Sequence, residues 1–312
     1  MSVRAKLVDA GYAAGWRLVR TLPEPVARRL FLAGAELAAR RPGAGVRQLR
    51  RNLARVVPTA TAAELDDLVL RGLRSYARYW CEAFRLPSTD HRALYREVDP
   101  SVRGKENLDA ALAAGRGAIV VLPHSGNWDA AGVWLVGHSG PFTTVVERLR
   151  PEALYRRFVA YRESLGFEIL PSSGGPVPPA MTLARRLRRN QVVCLVADRD
   201  LSATGVEVTF FGERTRMPAG PAHLAARTGA ALLPARSLFA GERGYDIEIH
   251  PPVAVPGRDR AAVAEATQAV ADVFAADIAR RPEDWHMLQR LWLADLPPAR
   301  GRASAERSEA AR

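Results

Sequence analysis

Residues 118–122 are five consecutive apolar side chains, Ala118-Ile119-Val120-Val121-Leu122, running into Pro123 without a polar interruption. A run of that length ended by a turn signal is the pattern of a strand buried on both faces. Small and turn-forming residues follow. From Asn127 the spacing becomes helical, with Trp128, Ala131, Val133, Trp134 and Leu135 ahead of Gly137. Further strand patterns fall at 142–146, 167–170, 191–197, 206–211, 231–239 and 245–250. Helical spacing separates or follows them at 106–114, 151–165, 180–189, 218–227 and 260–281. The last two strands read as a hairpin turning at 241–244. Strands alternating with helices of this length predict a parallel sheet covered on both faces.

Ahead of residue 104 the pattern is helical. Over residues 3–20, Val3, Leu7, Ala10, Ala14 and Leu18 share one face, with Lys6, Arg17 and Arg20 opposite and Trp16 at the boundary; Arg4 breaks the pattern. Helices are also predicted after Pro25, over 47–57, and from Thr61 to about 84, where Thr61-Ala62-Ala63-Glu64 is a capping-box signature. The predicted fold is α/β, a central mostly parallel β-sheet flanked by α-helices on both faces, with an N-terminal helical elaboration. The expected division is a helical, membrane-associating region over 1–100, an α/β core over 101–296, and a tail over 297–312 too poor in apolar residues to order.

Composition narrows this picture. The 312 residues suffice for one main domain, and the net charge of +12 is concentrated at one end: residues 1–55 hold twelve basic against three acidic side chains. Such an end suits an anionic partner, phospholipid or nucleic acid. Basic residues beside an apolar stripe favour a bilayer surface, although a helix packed on its own domain gives nearly the same pattern, and no nucleic-acid motif accompanies the charge. Nearly all the positive charge is arginine, a bias that a GC-rich genome also produces, so arginine abundance alone does not argue for phosphate. The two cysteines, Cys81 and Cys194, lie in apolar contexts and suggest neither a disulfide framework nor a metal site, which points to a reducing compartment. No run is apolar for long enough to span a membrane.

The candidate chemistry sits where the first buried strand ends, at His124-Ser125-Gly126-Asn127-Trp128-Asp129. His124 and Asp129 are five apart, about 140° around one helix, so they meet only if His124 lies on the loop. With Asn127 as N-cap, Asp129 falls in the first helical turn and can turn back toward His124. That pair would form a dyad able to take a proton from an alcohol, and the alcohol can belong to the substrate. Glu147, Asp198, Arg199 and Asp200 follow other strands and share the same sheet edge, where they would either join a site or form an internal ion-pair network. Arg162 and Arg227 are candidates to hold phosphates. His124, Asp129, Asp198 and Asp200 lack metal-site spacing, so no metal is expected. Absence of Gly-x-Ser-x-Gly, P-loop and Gly-x-Gly-x-x-Gly motifs argues against a serine hydrolase, a nucleotide hydrolase and a dehydrogenase.

Four stretches in order resemble one family: His124 to Asp129; Val146-Glu147-Arg148-Leu149-Arg150-Pro151-Glu152 running on to Arg162; Asp198-Arg199-Asp200-Leu201 through Thr204-Gly205-Val206-Glu207-Val208 to Phe210-Phe211-Gly212; and Arg216-Met217-Pro218-Ala219-Gly220-Pro221. Together they resemble the lipid A biosynthesis acyltransferase branch of the His-x4-Asp lysophospholipid acyltransferase superfamily, and within it the actinobacterial enzymes acting on phosphatidylinositol mannosides. The lipid A enzymes often carry Glu at the position of Asp129 and a spanning N-terminal helix; this chain has Asp and an amphipathic helix.

The resemblance implies transfer of a long acyl chain from acyl-CoA, the co-substrate, to a mannose hydroxyl of a glycolipid acceptor, with no further cofactor. The work would be done peripherally at the cytoplasmic membrane face, on an anionic surface. It implies His124 as general base oriented by Asp129, with backbone N–H groups near the helix start meeting charge on the thioester oxygen. Asp198 and Glu147, beside Arg199, would order the dyad or hold the sugar, and Arg162, Thr204 and Arg227 would hold CoA. Trp128, Trp134 and the aromatic helix over 76–84 would line an acyl groove. The competing expectation is a non-catalytic lipid-binding or membrane-scaffold protein.

Overall fold

The computed structural model describes residues 11, 15–148, 152–200 and 204–296. Their strands build a seven-stranded sheet from β1 (Val102–Arg103), β2 (Ala118–Leu122), β3 (Phe142–Val146), β4 (Glu168–Pro171), β5 (Val192–Val196), β8 (Ala231–Ala240) and β9 (Gly244–Ile249), in the order β1-β9-β8-β2-β5-β3-β4. All neighbours are parallel except the β8–β9 hairpin. The α/β expectation therefore holds.

β2 lies at the centre, and its alternation explains the two layers. Ile119 and Val121 face a core with Leu183, Leu187, Leu224, Val263 and Phe274, from α8 (Pro179–Arg188), α9 (Gly220–Thr228) and α10 (Arg260–Arg280). Ala118, Val120 and Leu122 face the opposite core with Leu94, Leu108, Trp134 and Tyr161, from α4 (His91–Val98), α5 (Lys105–Ala113), α6 (Trp128–Ser139) and α7 (Glu152–Glu163). Both faces being covered is why β2 reads as an unbroken apolar run.

Three elements went unread in the sequence, the first being β1, whose two residues are too few to carry a pattern. α4 buries only Leu94 and Val98, too few positions to mark a helix. The strand expected over 206–211 is β6 (Val206–Phe210), which pairs antiparallel with β7 (Glu213–Met217) in a separate two-stranded ribbon. β7 reads Glu-Arg-Thr-Arg-Met, with only Thr215 and Met217 buried, and so resembles loop.

The N-terminal helices α1 (Glu24–Arg40), α2 (Ala44–Val56) and α3 (Ala62–Arg85) form a satellite core around Ala35, Leu49, Leu53, Leu68 and Leu73. α3 starts with the expected capping box, Thr61 accepting from the Glu64 N–H while Glu64 accepts from the Thr61 N–H. Of the helix expected over 3–20, residues 11 and 15–20 are helical and the remainder lies outside the described residues, as does the tail from 297. Trp16 faces inward: its indole donates to the Phe84 carbonyl at 3.1 Å, and its ring packs on Phe84, Phe158 and Tyr161. Among the described residues no helix is long and apolar enough to cross a membrane.

Candidate active site

The strand register determines which carboxylate meets His124. Leu122 of β2 pairs with Val196 of β5, and the Ala197 N–H donates to the Leu122 carbonyl at 2.9 Å. His124 and Asp198 each lie two residues beyond that pair, so parallel pairing delivers them side by side. Asp198 Oδ1 lies 2.6 Å from His124 Nδ1, and Oδ2 accepts the His124 backbone N–H at 3.0 Å and the Trp285 indole N–H at 3.0 Å. Asp198 is fully buried. Burial alone would raise its pKa, but the electrostatic attraction of His124 and the hydrogen bonds from His124 and Trp285 outweigh it and hold Asp198 below the ordinary carboxylate value. An ionised Asp198 requires Nδ1 to be the donor, which leaves Nε2 as the nitrogen able to accept a proton.

This corrects the expected dyad. His124 does lie on the loop, and Asn127 does cap the helix, its side chain accepting from the Ala130 N–H at 3.0 Å. Asp129, however, is aimed elsewhere. Its oxygens take two hydrogen bonds from Arg162, at 2.9 and 3.4 Å, and one from the Tyr79 hydroxyl at 3.1 Å. The first turn of α6 directs this buried carboxylate toward α3 and α7, whereas the sheet register gives His124 to Asp198. Burial is the largest influence on Arg162 and lowers its pKa, yet Asp129 and its neighbours keep it above the ordinary guanidinium value. Burial, aided by Asp129, pushes the Tyr79 hydroxyl well up, so it stays a neutral donor.

A cleft of about 200 Å³ opens on this centre, lined by His124, Trp128, Asp129 and Arg162 and continuing over Leu122, Phe142, Thr144, Val146, Phe167 and Cys194. The His124 side chain is 35% exposed while its partner is sealed, as a base reached from one side requires. Burial raises the Cys194 thiol to about 12, so this wall is chemically inert. Glu147 and Arg199, paired at 3.5 Å, stand where the cleft joins a larger groove of about 770 Å³. That groove has an apolar lining including Val145, Leu183, Leu195 and Pro221, with Arg188 and Arg227 on its wall.

The structure thus gathers His124, Asp129, Glu147, Arg162, Asp198 and Arg199. Arg227 belongs to the adjoining groove, and Thr204 lines a different depression with Glu207, Arg216 and Arg260. Of the expected groove aromatics, Trp128 lines the cleft and packs on Tyr79, with ring centroids 3.9 Å apart. Trp134 does not: it is buried, and its indole donates to Asp99 at 3.0 Å. Two N–H groups near the helix start are already committed, Gly126 to the Asp284 carbonyl at 2.9 Å and Ala130 to Asn127.

The sequence marks neither Tyr79 as a partner of Asp129 nor the segment Asp284-Trp285-His286. The segment packs behind the His124 loop, where Ser75 donates to Asp284 at 2.6 Å and lies 2.9 Å from His286 Nε2. Neither a strand pattern nor a helical face marks it.

The family model described as bacterial lipid A biosynthesis acyltransferase matches residues 4–294. The chain is 56% identical over 299 residues to the phosphatidylinositol mannoside acyltransferase of Mycobacterium tuberculosis strain H37Rv, covering 96% of this chain and 93% of that one. It is 57% identical over 295 residues to the protein of the same name from Mycolicibacterium smegmatis, covering 95% and 94%. A lipid A biosynthesis acyltransferase of Haemophilus influenzae matches at 26% over 150 residues, 47% of this chain and 46% of that one.

Proposed function

The chain belongs to the bacterial lipid A biosynthesis acyltransferase family, and from that premise we propose that it moves a long-chain acyl group from acyl-CoA to a mannose hydroxyl of a phosphatidylinositol mannoside at a membrane surface. His124 is the general base: Nε2 takes the proton of the acceptor hydroxyl as its oxygen attacks the thioester carbonyl. Nδ1–H stays on Asp198, which holds the tautomer and stabilises the imidazolium. Collapse of the tetrahedral intermediate breaks the C–S bond, and the imidazolium returns its proton to the departing thiolate. The products are the ester and CoA.

Arg162 serves the charge that builds on the thioester oxygen. Asp129 fixes its guanidinium in the cleft wall, and the start of α6 adds the positive end of a helix dipole. Asp129 thus acts through Arg162. The apolar cleft from Trp128 to Phe167 takes the acyl chain, and the wider groove takes CoA and the acceptor's polar parts, with Glu147 and Arg199 at the junction and Arg227 on its wall.

Membrane docking falls to α1. Val26, Leu30, Ala33 and Leu37 recur at helical spacing and are exposed, while Ala27 and Ala35 pack inward. Exposed Arg29 and Arg40 accompany them. An outward apolar stripe with basic residues, on a helix whose inner face is already satisfied, supports peripheral binding to an anionic leaflet.

The observation that carries the reading is the sealed Asp198 carboxylate bonded to a partly exposed imidazole on an apolar cleft. Incubating the purified protein with labelled long-chain acyl-CoA and a phosphatidylinositol mannoside tests it. A labelled, more apolar lipid formed with stoichiometric free thiol is expected; binding of both compounds without product would favour a non-catalytic lipid-binding protein.

A further inference from the structure

The chemistry above makes no use of Asp284-Trp285-His286, yet this segment is tied to the His124 loop along its length. The His286 N–H donates to the His124 carbonyl at 2.8 Å, the Gly126 N–H donates to the Asp284 carbonyl at 2.9 Å, and Ser125 and Trp285 form an antiparallel bridge. The Trp285 side chain then reaches past the loop to Asp198. Its indole N–H and the His124 backbone N–H share Oδ2, each at 3.0 Å, leaving Oδ1 to the imidazole at 2.6 Å.

We propose that Trp285 is a positioning residue for acyl transfer, acting through Asp198: its indole N–H locks the carboxylate so that one oxygen is held against His124 Nδ1. The inference rests on His124 being the base. With the indole removed, only the His124 backbone N–H and the imidazole itself among the described hydrogen bonds would hold this buried carboxylate against rotation about its Cβ–Cγ bond; a second donor on Oδ2 restricts that rotation. The donor matters electrically too, because a neutral N–H stabilises the ionised carboxylate without competing for its proton. Of the titratable side chains packed on this pair, His286 is kept neutral by burial, with its pKa pushed down to about 3, so it brings no positive charge that could replace the indole's contribution.

Packing alone does not explain the residue. Trp285 sits in an aromatic cluster with Phe210, Phe211 and Trp292. Trp292 is equally buried, and its indole donates to the Phe210 carbonyl at 3.0 Å. It is a matched control: removing its N–H costs a similar buried hydrogen bond but leaves Asp198 untouched.

The test compares Trp285→Phe with Trp292→Phe, and adds a protein in which the Trp285 indole is replaced by its benzothiophene isostere, which keeps the shape and loses only the N–H. Loss of the donor raises the proton affinity of Asp198 and makes it a stronger partner for the imidazolium, so both effects move the acid limb of kcat/KM upward, by about one pH unit. kcat should fall roughly 10- to 100-fold with KM for acyl-CoA unchanged. Trp292→Phe should leave the limb in place. Nitrogen-15 NMR of the His124 ring follows the same midpoint without turnover, so the proposal stands or falls even if wild-type protein transfers no acyl group, which would sink only the general-base reading. An unmoved midpoint in the isostere-bearing protein, or an equal shift in Trp292→Phe, would overturn the role of Trp285.

Discussion

His124 Nδ1 lies 2.6 Å from Asp198 Oδ1, although 74 residues separate them and a nearer aspartate, Asp129, was available five positions away. The partner is chosen by strand register, because each residue follows a paired position of β2 and β5 by the same two steps.

Asp198→Asn should therefore be the severe substitution. An amide can present its N–H₂ to Nδ1 and reverse the tautomer, leaving Nε2 protonated and unable to act as base. The expected loss in kcat is roughly 10²- to 10⁴-fold with unchanged fold, measured by steady-state acyl transfer. A loss of only a few-fold would mean that the carboxylate does not orient His124.

Asp129→Asn should behave differently. The side chain is 2% exposed and Arg162 18%, so neutralising the carboxylate leaves a guanidinium mostly buried without its counter-charge. The expected cost is about 3–5 kcal/mol of stability, read by equilibrium urea unfolding, with activity falling as Arg162 shifts. The double variant Asp129→Asn, Arg162→Met should recover part of the stability and none of the activity. Additive losses would deny the coupling.

How much of this was legible follows the range of each interaction. The buried strand at 118–122, the Asn127 cap and the Thr61–Glu64 box were readable because each is written within a few residues. His124 itself was readable as the first polar side chain after a buried strand. Asp198 was readable as a strand-end carboxylate on the same sheet edge, but its direct pairing with His124 was not, since β2 and β5 adjoin only once the sheet has formed, and a local spacing rule offered Asp129 instead. Trp285 and Tyr79 reach the site from segments whose own patterns record only burial.

The buried network behind the loop sets the acid stability. Burial, with nearby His124 adding, pushes His286 down to about 3, against about 6.5 in an unfolded chain. Protons thus favour the unfolded state, and the stability that depends on neutral His286 is complete above about 6.5 and is lost as pH falls toward 3. Burial raises Asp284 to about 6, against an unfolded value of about 3.9. Its contribution runs the other way, present below about 4 and lost as pH rises through 6. His286→Asn should therefore flatten or reverse the acid-side fall in urea midpoint between about pH 6.5 and 4. A curve parallel to that of the wild type would contradict the assignment.

Gly132 offers a test of whether the cleft takes the acyl chain. A Cβ added there would meet the Phe167 ring at 2.5 Å, and Phe167 packs on Phe142, with ring centroids 4.5 Å apart, in the cleft wall. Gly132→Ala should push the ring into the cleft and shift the preferred acyl-CoA toward shorter chains, by about ten-fold in the ratio of kcat/KM for short over long donors. An unchanged chain-length profile with a changed rate would place the acyl chain elsewhere.

Removal of the acceptor's proton by an imidazole held on Asp198 is probed by single-turnover acyl transfer with His124→Ala. A rate reduced by roughly 10⁴-fold or more is expected, with acyl-CoA binding and the circular dichroism spectrum retained. Transfer within a few-fold of the wild-type rate by that folded variant would contradict it.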